Sequence, residues 1–356
     1  MSYLHELGWT SYFQQYLKPG DPRIPARVVE EQRTIYRVAC EAGELLAETT
    51  SLLRYRATDR SGLPAVGDWV LIEPRLAEGR ATIHEVLPRR TEFSRKAAGR
   101  ETVEQIAAAN IDTAFLMTSL NADLNVRRIE RYLTTIWESG AQPVILLSKA
   151  DLCDDVAPAI EAVAEVAFGV SIHALSSATG EGLDQLRAYM SPGQTVAVLG
   201  SSGVGKSTLI NRLHGGDVQK VLEIREDDDR GRHATTARRL FLLLGGGMLI
   251  DTPGMRELQL WDAAGGLSQT FSDIESIAEG CRFRDCRHET EPGCAVQSAL
   301  AENQLSLARF ESYLKLQREL GYLARKQDAM ARSEQKRQWK RMHKAARELY
   351  KNREKP

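Results

Sequence analysis

The sequence predicts a chain in three parts: a small β-barrel, an α/β domain whose doubly wound sheet carries a phosphate loop, and a Cys-rich, mainly helical end. Three observations predict it. Short β-like runs broken by turn residues fill residues 25–95, and longer apolar runs alternate with helical segments over 103–260. Three of the chain's five cysteines then crowd between Cys281 and Cys294, ahead of a basic stretch poor in Gly and Pro. We place the parts at 1–98, 99–265 and 266–356, and 356 residues give them room for a substantial core.

In the first part the runs ARVVE, TIYRVAC, ELLAET, VGDWVLIEP and ATIHEVLP are separated near Gly43, Gly62, Gly67, Asp68 and Gly79. Five short strands of this kind suggest a small closed barrel; the OB-fold is one such barrel, and another topology remains open. In the second part IDTAFLMT, PVILLS, TVAVLG and GMLID have the continuous apolar character of buried parallel strands. Between them VRRIERYLTTIWESG reads as a helix capped by Asn125 and stopped at Gly140. Strand–helix alternation of this sort specifies a doubly wound α/β domain. In the third part the segment from Ala301 to Lys351 abounds in Ala, Leu, Gln, Glu, Lys and Arg and should be helical.

Charge is unevenly distributed. The whole chain carries −1, but from Lys315 to Pro356 there are 14 Lys or Arg against 5 Asp or Glu, a local +9, which leaves −10 for Met1 to Leu314. A concentrated basic tail containing Trp339 suits an anionic partner, most simply nucleic acid, through phosphate contacts and base stacking. No run approaches the ~18 apolar residues of a membrane span. The amphipathic start, MSYLHELGWTSYFQQYL, lacks the pattern of a signal peptide. The expectation is a cytoplasmic protein with no membrane contact, and a monomer by default.

Gly200-Ser201-Ser202-Gly203-Val204-Gly205-Lys206-Ser207 fits G-x-x-x-x-G-K-[ST] directly after the run TVAVLG and before the helix start at Thr208. Glycines let backbone N–H groups turn around phosphate oxygens, and a helix N-terminus adds partial positive charge. Lys206 would reach the β- and γ-phosphates, and the Ser207 hydroxyl would ligate Mg²⁺. Downstream, Asp251-Thr-Pro-Gly254 closes the run GMLID: a carboxylate at a strand end to hold Mg²⁺, and a glycine N–H for the γ-phosphate. Between them GRHATTARR follows the acidic stretch EIREDDDR, and Thr235 or Thr236 would bring a hydroxyl to Mg²⁺.

Ser148-Lys149-Ala150-Asp151 closes the run PVILLS. Guanine presents two adjacent donors, N1–H and N2–H₂, which one carboxylate accepts as a pair; Asp151 is placed for that, with the Lys149 stem over the base. Adenine would leave Asp151 unpaired. The element around Ser177 and Ala178 would turn a backbone N–H toward the base O6. The base-reading residues thus precede the phosphate loop, the reverse of the usual order. That order indicates a circularly permuted P-loop domain binding GTP and GDP.

Cys281-x₄-Cys286-x-His288-x₅-Cys294 offers three sulfurs and an imidazole, a closed set of four that suits one structural Zn²⁺. Cys40 and Cys153 lie in separate regions and read as packing residues.

With PAVGDWV, AANIDTAFLMTSLNADLNVRRIERYL, SKAD, SSATGEGL, GSSGVGKSTLIN, GRHATT, DTPGMRE and the Cys cluster, the chain resembles the RsgA (YjeQ) family of small-ribosomal-subunit-dependent GTPases over nearly its whole length. The resemblance implies an N-terminal OB-fold, a permuted GTPase and a C-terminal zinc domain. It also implies a role in late maturation of the small ribosomal subunit through its rRNA. Two departures stand out. Ser148 occupies a place where such GTPases usually have Asn, which bridges the base N7 and the phosphate loop, so lower nucleotide affinity is implied. The switch reads H-A-T-T where the family often has H-T-T-T. Ras-like enzymes orient the attacking water with a Gln after D-x-x-G; here Met255 stands there and cannot, so His233 is the candidate. The expectation is slow intrinsic hydrolysis accelerated by the subunit. Three alternatives are an RNA-binding assembly scaffold using guanine nucleotide as a conformational switch, an ATP-dependent P-loop enzyme, and a permuted GTPase of the large subunit.

Overall fold

The structure is a computed structural model that describes residues 2–32, 34–57, 60–96, 104–121, 124–215, 238–243, 245–251 and 264–325. The chain divides into two compact units, Met1–Gln259 and Leu260–Pro356.

Five strands build the barrel of the first unit: β1 (Ile24–Gln32), β2 (Ile35–Cys40), β3 (Gly43–Thr49), β4 (Trp69–Arg75) and β5 (Arg80–Val86). They run β1-β2-β3-β5-β4 and close through β1–β4 pairing, with β3 parallel to β5, a closed barrel of OB type. Strand β3 alternates along its length, with Leu45, Ala47 and Thr49 buried and Glu44, Leu46 and Glu48 exposed. A short helix α3 (Ser51–Arg56) follows β3, after helices α1 (Tyr3–Glu6) and α2 (Ser11–Gln14) at the N-terminus.

A hairpin of β6 (Glu92–Lys96) and β7 (Glu104–Ala109) leads into the α/β sheet. Its strands are β8 (Thr113–Ser119), β9 (Gln142–Ser148), β10 (Ser171–Leu175), β11 (Thr195–Gly200), β12 (Arg238–Leu242) and β13 (Met248–Asp251). The order is β10-β9-β8-β11-β13-β12, all parallel except β12. Helix α4 (Val126–Glu138) starts at Asn125, whose side chain accepts the Arg128 N–H, as the sequence predicts. Helix α5 (Ala157–Ala164) packs on the same face of the sheet as α4, and α6 (Lys206–His214) packs on the other. Four strands escaped the sequence reading: β6 and β7 of the hairpin, and β10 and β12 of the sheet. β10 is a short sheet edge with mostly half-buried residues, and β12 opens on Arg238 and Arg239, which mask its strand character.

β12 joins the two sheets. It pairs with β13 on one side and with barrel strand β1 on the other, Glu30 opposite Arg239 and Glu31 opposite Arg238. Barrel and α/β sheet also share one hydrophobic core, in which Trp69 and Leu71 pack with Ala114, Leu116, Ala197 and Ile250. The N-terminal Leu7, Trp9 and Phe13 are buried in it, Trp9 standing edge-on to Trp69 at 4.7 Å. At Gly67, with φ 93°, an added Cβ would lie 2.0 Å from the Ala109 carbonyl, so the barrel turn and the hairpin approach only because that side chain is missing.

Arg27 lies fully buried at this junction. It donates to the carbonyls of Leu7, Gly67 (3.2 Å) and Asn110 (3.0 Å) and to Thr195 Oγ1 (2.9 Å), and its guanidinium faces the Trp69 ring. Burial pulls its pKa down to about 10, which still leaves it charged at neutral pH, and the carbonyl ring around it replaces its hydration.

In the second unit α7 (Ala264–Thr270), α8 (Ser272–Ala278), α9 (Ala295–Ala301) and α10 (307–325) enclose a core of Leu267, Phe271, Ile274, Val296, Phe310 and Tyr313. The helix expected from Ala301 begins later. Asn303, at φ 57°, turns the chain after α9, and the Ser306 hydroxyl accepts the Arg309 N–H to start α10. Residues 326–356, which hold most of the basic tail with Trp339, lie outside the described residues.

Candidate active site and metal centre

Strand register sets the nucleotide site. Ser148 at the end of β9 is level with Ser119 on β8 and Leu175 on β10, while Gly200 at the end of β11 is level with Met117 on β8. β13 runs parallel to β11 and ends at Asp251. The SKAD, SSAT, phosphate-loop and DTPG segments therefore all begin at the carboxyl edge of one sheet, where open α/β sheets bind ligands. Only β8 separates β9 from β11, a gap of about 10 Å, which a ribose and a diphosphate can bridge.

The phosphate loop is fixed at both ends. Gly200 has φ 138°, and a Cβ there would come 2.1 Å from the Met117 carbonyl, so this position admits only glycine. Gly205, left-handed at φ 97°, caps α6, whose Leu209 and Ile210 are buried in a cluster with Val204. Ser207 and Thr208 are exposed in the first turn of that helix, and Ser202 and Gly203 are exposed at the loop's crest. Lys206 Nζ lies on the loop's own carbonyls, donating to Gly200 (2.8 Å) and Ser201. A phosphate entering the loop would thus meet a cation already held inside it.

Ser148 is buried, and its hydroxyl contacts the Val204 carbonyl at 2.7 Å and the Thr118 carbonyl at 3.2 Å. It ties the base-side strand to the phosphate loop. The chain then turns at Lys149, a non-glycine residue in the left-handed region at φ 60°, into the single turn Ala150–Leu152 that carries an exposed Asp151.

The second base-side element is a tight loop. Ser176 accepts the Gly180 N–H on its carbonyl (2.9 Å) and the Thr179 N–H on its hydroxyl (3.1 Å). Ala178 is exposed at the crest, and the buried Ser177 hydroxyl has no hydrogen-bond partner among the described residues. Here the structure adds a residue that sequence reading missed. Arg212 on α6 donates from Nε to the Ser177 carbonyl (3.1 Å) and from Nη2 to the Ala178 carbonyl (2.6 Å). In the sequence it is one cation on the polar side of a helix, and no spacing marks it out. His233, Thr235, Thr236 and Gly254 lie outside the described residues.

In the second unit the ligand atoms of Cys281, Cys286, His288 and Cys294 all lie within 4.8 Å of one another. Cys281 Sγ is 3.9 Å from Cys294 Sγ, and His288 Nδ1 is 3.6 and 3.4 Å from those two sulfurs. A tetrahedral ion with metal–sulfur bonds of about 2.3 Å needs sulfur–sulfur edges of about 3.8 Å and slightly shorter sulfur–nitrogen edges. The cluster can hold one metal ion, and its donors and spacing are consistent with zinc. Cys294 also accepts the Gln297 N–H (3.4 Å) at the start of α9, and Gln297 donates to the His288 carbonyl (2.5 Å).

The sequence matches the model of one family, described as RsgA GTPase, over residues 86–261. A relative from Lactiplantibacillus plantarum, "Small ribosomal subunit biogenesis GTPase RsgA 2", is 49% identical over 319 residues, 90% of each chain. The chain belongs to the RsgA GTPase family. A Listeria innocua member, "Small ribosomal subunit biogenesis GTPase RsgA 1", is 45% identical over 353 residues, 99% of each chain. Among solved structures the chain is similar to YjeQ from Thermotoga maritima, with TM-score 0.64 and 25% identity over 84% of this chain and 98% of that one. It shares its fold with YloQ, a circularly permuted GTPase, at TM-score 0.61 and 22% identity, over 86% and 98% of the two chains. The resemblance read from SKAD through DTPG is therefore borne out, and so are the permuted GTPase fold, the OB-type barrel and the assignment as a GTP hydrolase. Among the described residues no helix is long and apolar enough to cross a membrane.

Proposed function

We propose that this GTPase acts in late maturation of the small ribosomal subunit, hydrolysing GTP slowly alone and rapidly on the subunit, as a cytoplasmic monomer. The observation that carries the nucleotide half is the register that brings Ser148, Gly200 and Asp251 to one sheet edge. The names of the relatives support the ribosomal half.

In this reading Asp151 accepts the two guanine donors, Lys149 covers the base and Ala178 offers its N–H to O6. Gly200 to Thr208 hold the phosphates, with the Lys206 ammonium balancing their charge. Ser207, Asp251 and either Thr235 or Thr236 would hold Mg²⁺, which neutralises charge on the phosphate oxygens. His233 would orient the attacking water, the role that Met255 cannot take. Cys281, Cys286, His288 and Cys294 would hold a structural Zn²⁺. The barrel, the Cys-rich unit and the basic tail would contact rRNA. Because the DTPG segment leads directly into the second unit, nucleotide state would change that unit's RNA contacts; equal affinities of the GTP and GDP forms for the subunit would refute this.

The test is GTP and ATP hydrolysis with and without purified small subunits. GTP-selective turnover that rises sharply with the subunit is expected. Unstimulated turnover would overturn the ribosomal assignment, and equal use of ATP the guanine site. Binding that depends on GTP without stimulated turnover would favour the assembly scaffold instead.

A further inference from the structure

We propose that Arg212 is a positioning residue for the six-position of the nucleobase: it locks the peptide planes on both sides of Ala178 so that the Ala178 N–H faces a purine carbonyl. The proposal rests on the reading of the 176–180 loop as part of the guanine site and assigns the discrimination made there to a side chain outside the loop.

A trans peptide is planar, and its C=O and N–H point in opposite directions. The carbonyl of Ser177 and the N–H of Ala178 belong to one such plane. Arg212 Nε holds that carbonyl at 3.1 Å, so the Ala178 N–H must point away from α6. Arg212 Nη2 holds the next carbonyl, that of Ala178, at 2.6 Å and fixes the following plane as well. The guanidinium is a rigid planar fork, so the two contacts are set together, which a flexible ammonium could not do.

The rest of the loop directs its donors inward. The N–H groups of Thr179 and Gly180 go to Ser176, and that of Ser176 goes to the Glu181 carbonyl at 3.0 Å. Among the described residues the Ala178 N–H has no partner, and Arg212 makes no ion pair that would draw its donors away. A cation on the Ser177 carbonyl also polarises the peptide, which makes the N–H on its other side a stronger donor. A 6-oxopurine gives that N–H an acceptor, whereas a 6-aminopurine turns a donor toward it.

Arg212 lies six residues beyond Lys206 on α6, about 9 Å along the axis. The helix whose first turn serves the phosphate loop therefore also holds the base loop.

The test is equilibrium binding of GDP, 6-thio-GDP and inosine diphosphate, with Mg²⁺, to the full chain and to its Arg212→Ala and Arg212→Lys variants. Replacing O6 by sulfur weakens only the acceptor at position six and keeps both donors that face Asp151. Inosine keeps O6 and loses the N2 amino group. The full chain is expected to prefer GDP to both analogues. Arg212→Ala should weaken GDP binding by roughly three- to tenfold, the worth of one oriented hydrogen bond. It should bring GDP and 6-thio-GDP close together while the inosine gap stays, and Arg212→Lys should fall between. An unchanged sulfur gap in Arg212→Ala would overturn the proposal, and so would equal loss of both gaps, which marks a general loosening of the loop. If the unaltered chain bound GDP and 6-thio-GDP alike, the reading of Ala178 itself would fail and take the proposal with it, whereas a surviving inosine gap would leave the Asp151 reading intact.

Discussion

The nucleotide site and the metal centre are built on opposite plans. Residues of the first are spread from Ser148 to Asp251 and meet because parallel strands end in register. Residues of the second lie between Cys281 and Cys294, around which four helices gather a small core. In one region the sheet holds the donors, so single side chains can be removed while the scaffold stands. In the other the ion would hold donors and helices alike, because so small a core supports little by itself. Substitution in the first region therefore changes chemistry, and in the second it changes folding.

Removing the metal should give the largest effect. Chelation, or Cys294→Ser, is expected to melt the helices of the second unit, since structural zinc contributes on the order of 10 kcal/mol. Guanine-nucleotide binding by the first unit should persist. Circular dichroism with a fluorescent GDP analogue would check both, and joint loss would erase the contrast drawn between the two regions.

Lys206→Ala comes next. With α6 intact, GTP turnover should drop by about 10²- to 10³-fold, as when one charge-stabilising donor is lost from an active site. Unchanged thermal unfolding is the control. A variant that failed to fold would show that Lys206 also secures the loop through Gly200 and Ser201.

Asp151→Asn should weaken GDP binding by roughly 10- to 100-fold, the range for hydrogen bonds to an ionised partner. Binding of the xanthine nucleotide, whose C2 carbonyl can accept from an amide, should rise. Competition between GDP and xanthosine diphosphate measures the switch.

The smallest effect belongs to Ser148→Ala. It leaves the Val204 carbonyl without its 2.7 Å partner, at a cost of about 1 kcal/mol. Faster GDP release with little change in unfolding temperature would mark Ser148 as a tie between base side and phosphate loop. The reverse would make it a core residue.

Legibility followed locality. The phosphate loop could be read because its glycines, lysine and helix start are consecutive, as left-handed Gly205 caps the helix that Lys206 opens. The cluster of Cys281, Cys286, His288 and Cys294 was legible for the same reason. The barrel was visible as five runs, yet its OB closure depends on β1 pairing with β4, some forty residues on. Ser148 stands out in the sequence as a departure from Asn, but its contact with Val204 does not, since 56 residues separate them.

The sequence by itself determined the α/β class, the permuted order of the motifs and the Cys3His cluster that can hold a metal ion, because patterns of turn, strand and ligand chemistry act over a few residues. Only the tertiary structure decided that β12 pairs with β1 and so joins barrel to sheet, that a buried Arg27 ties Leu7, Gly67, Asn110 and Thr195 together, and that Arg212 grips the carbonyls of Ser177 and Ala178. In the sequence each of these arginines is one cation among 47 Lys and Arg. What distinguishes them is which carbonyls surround the guanidinium, and that is fixed when distant strands and helices pack.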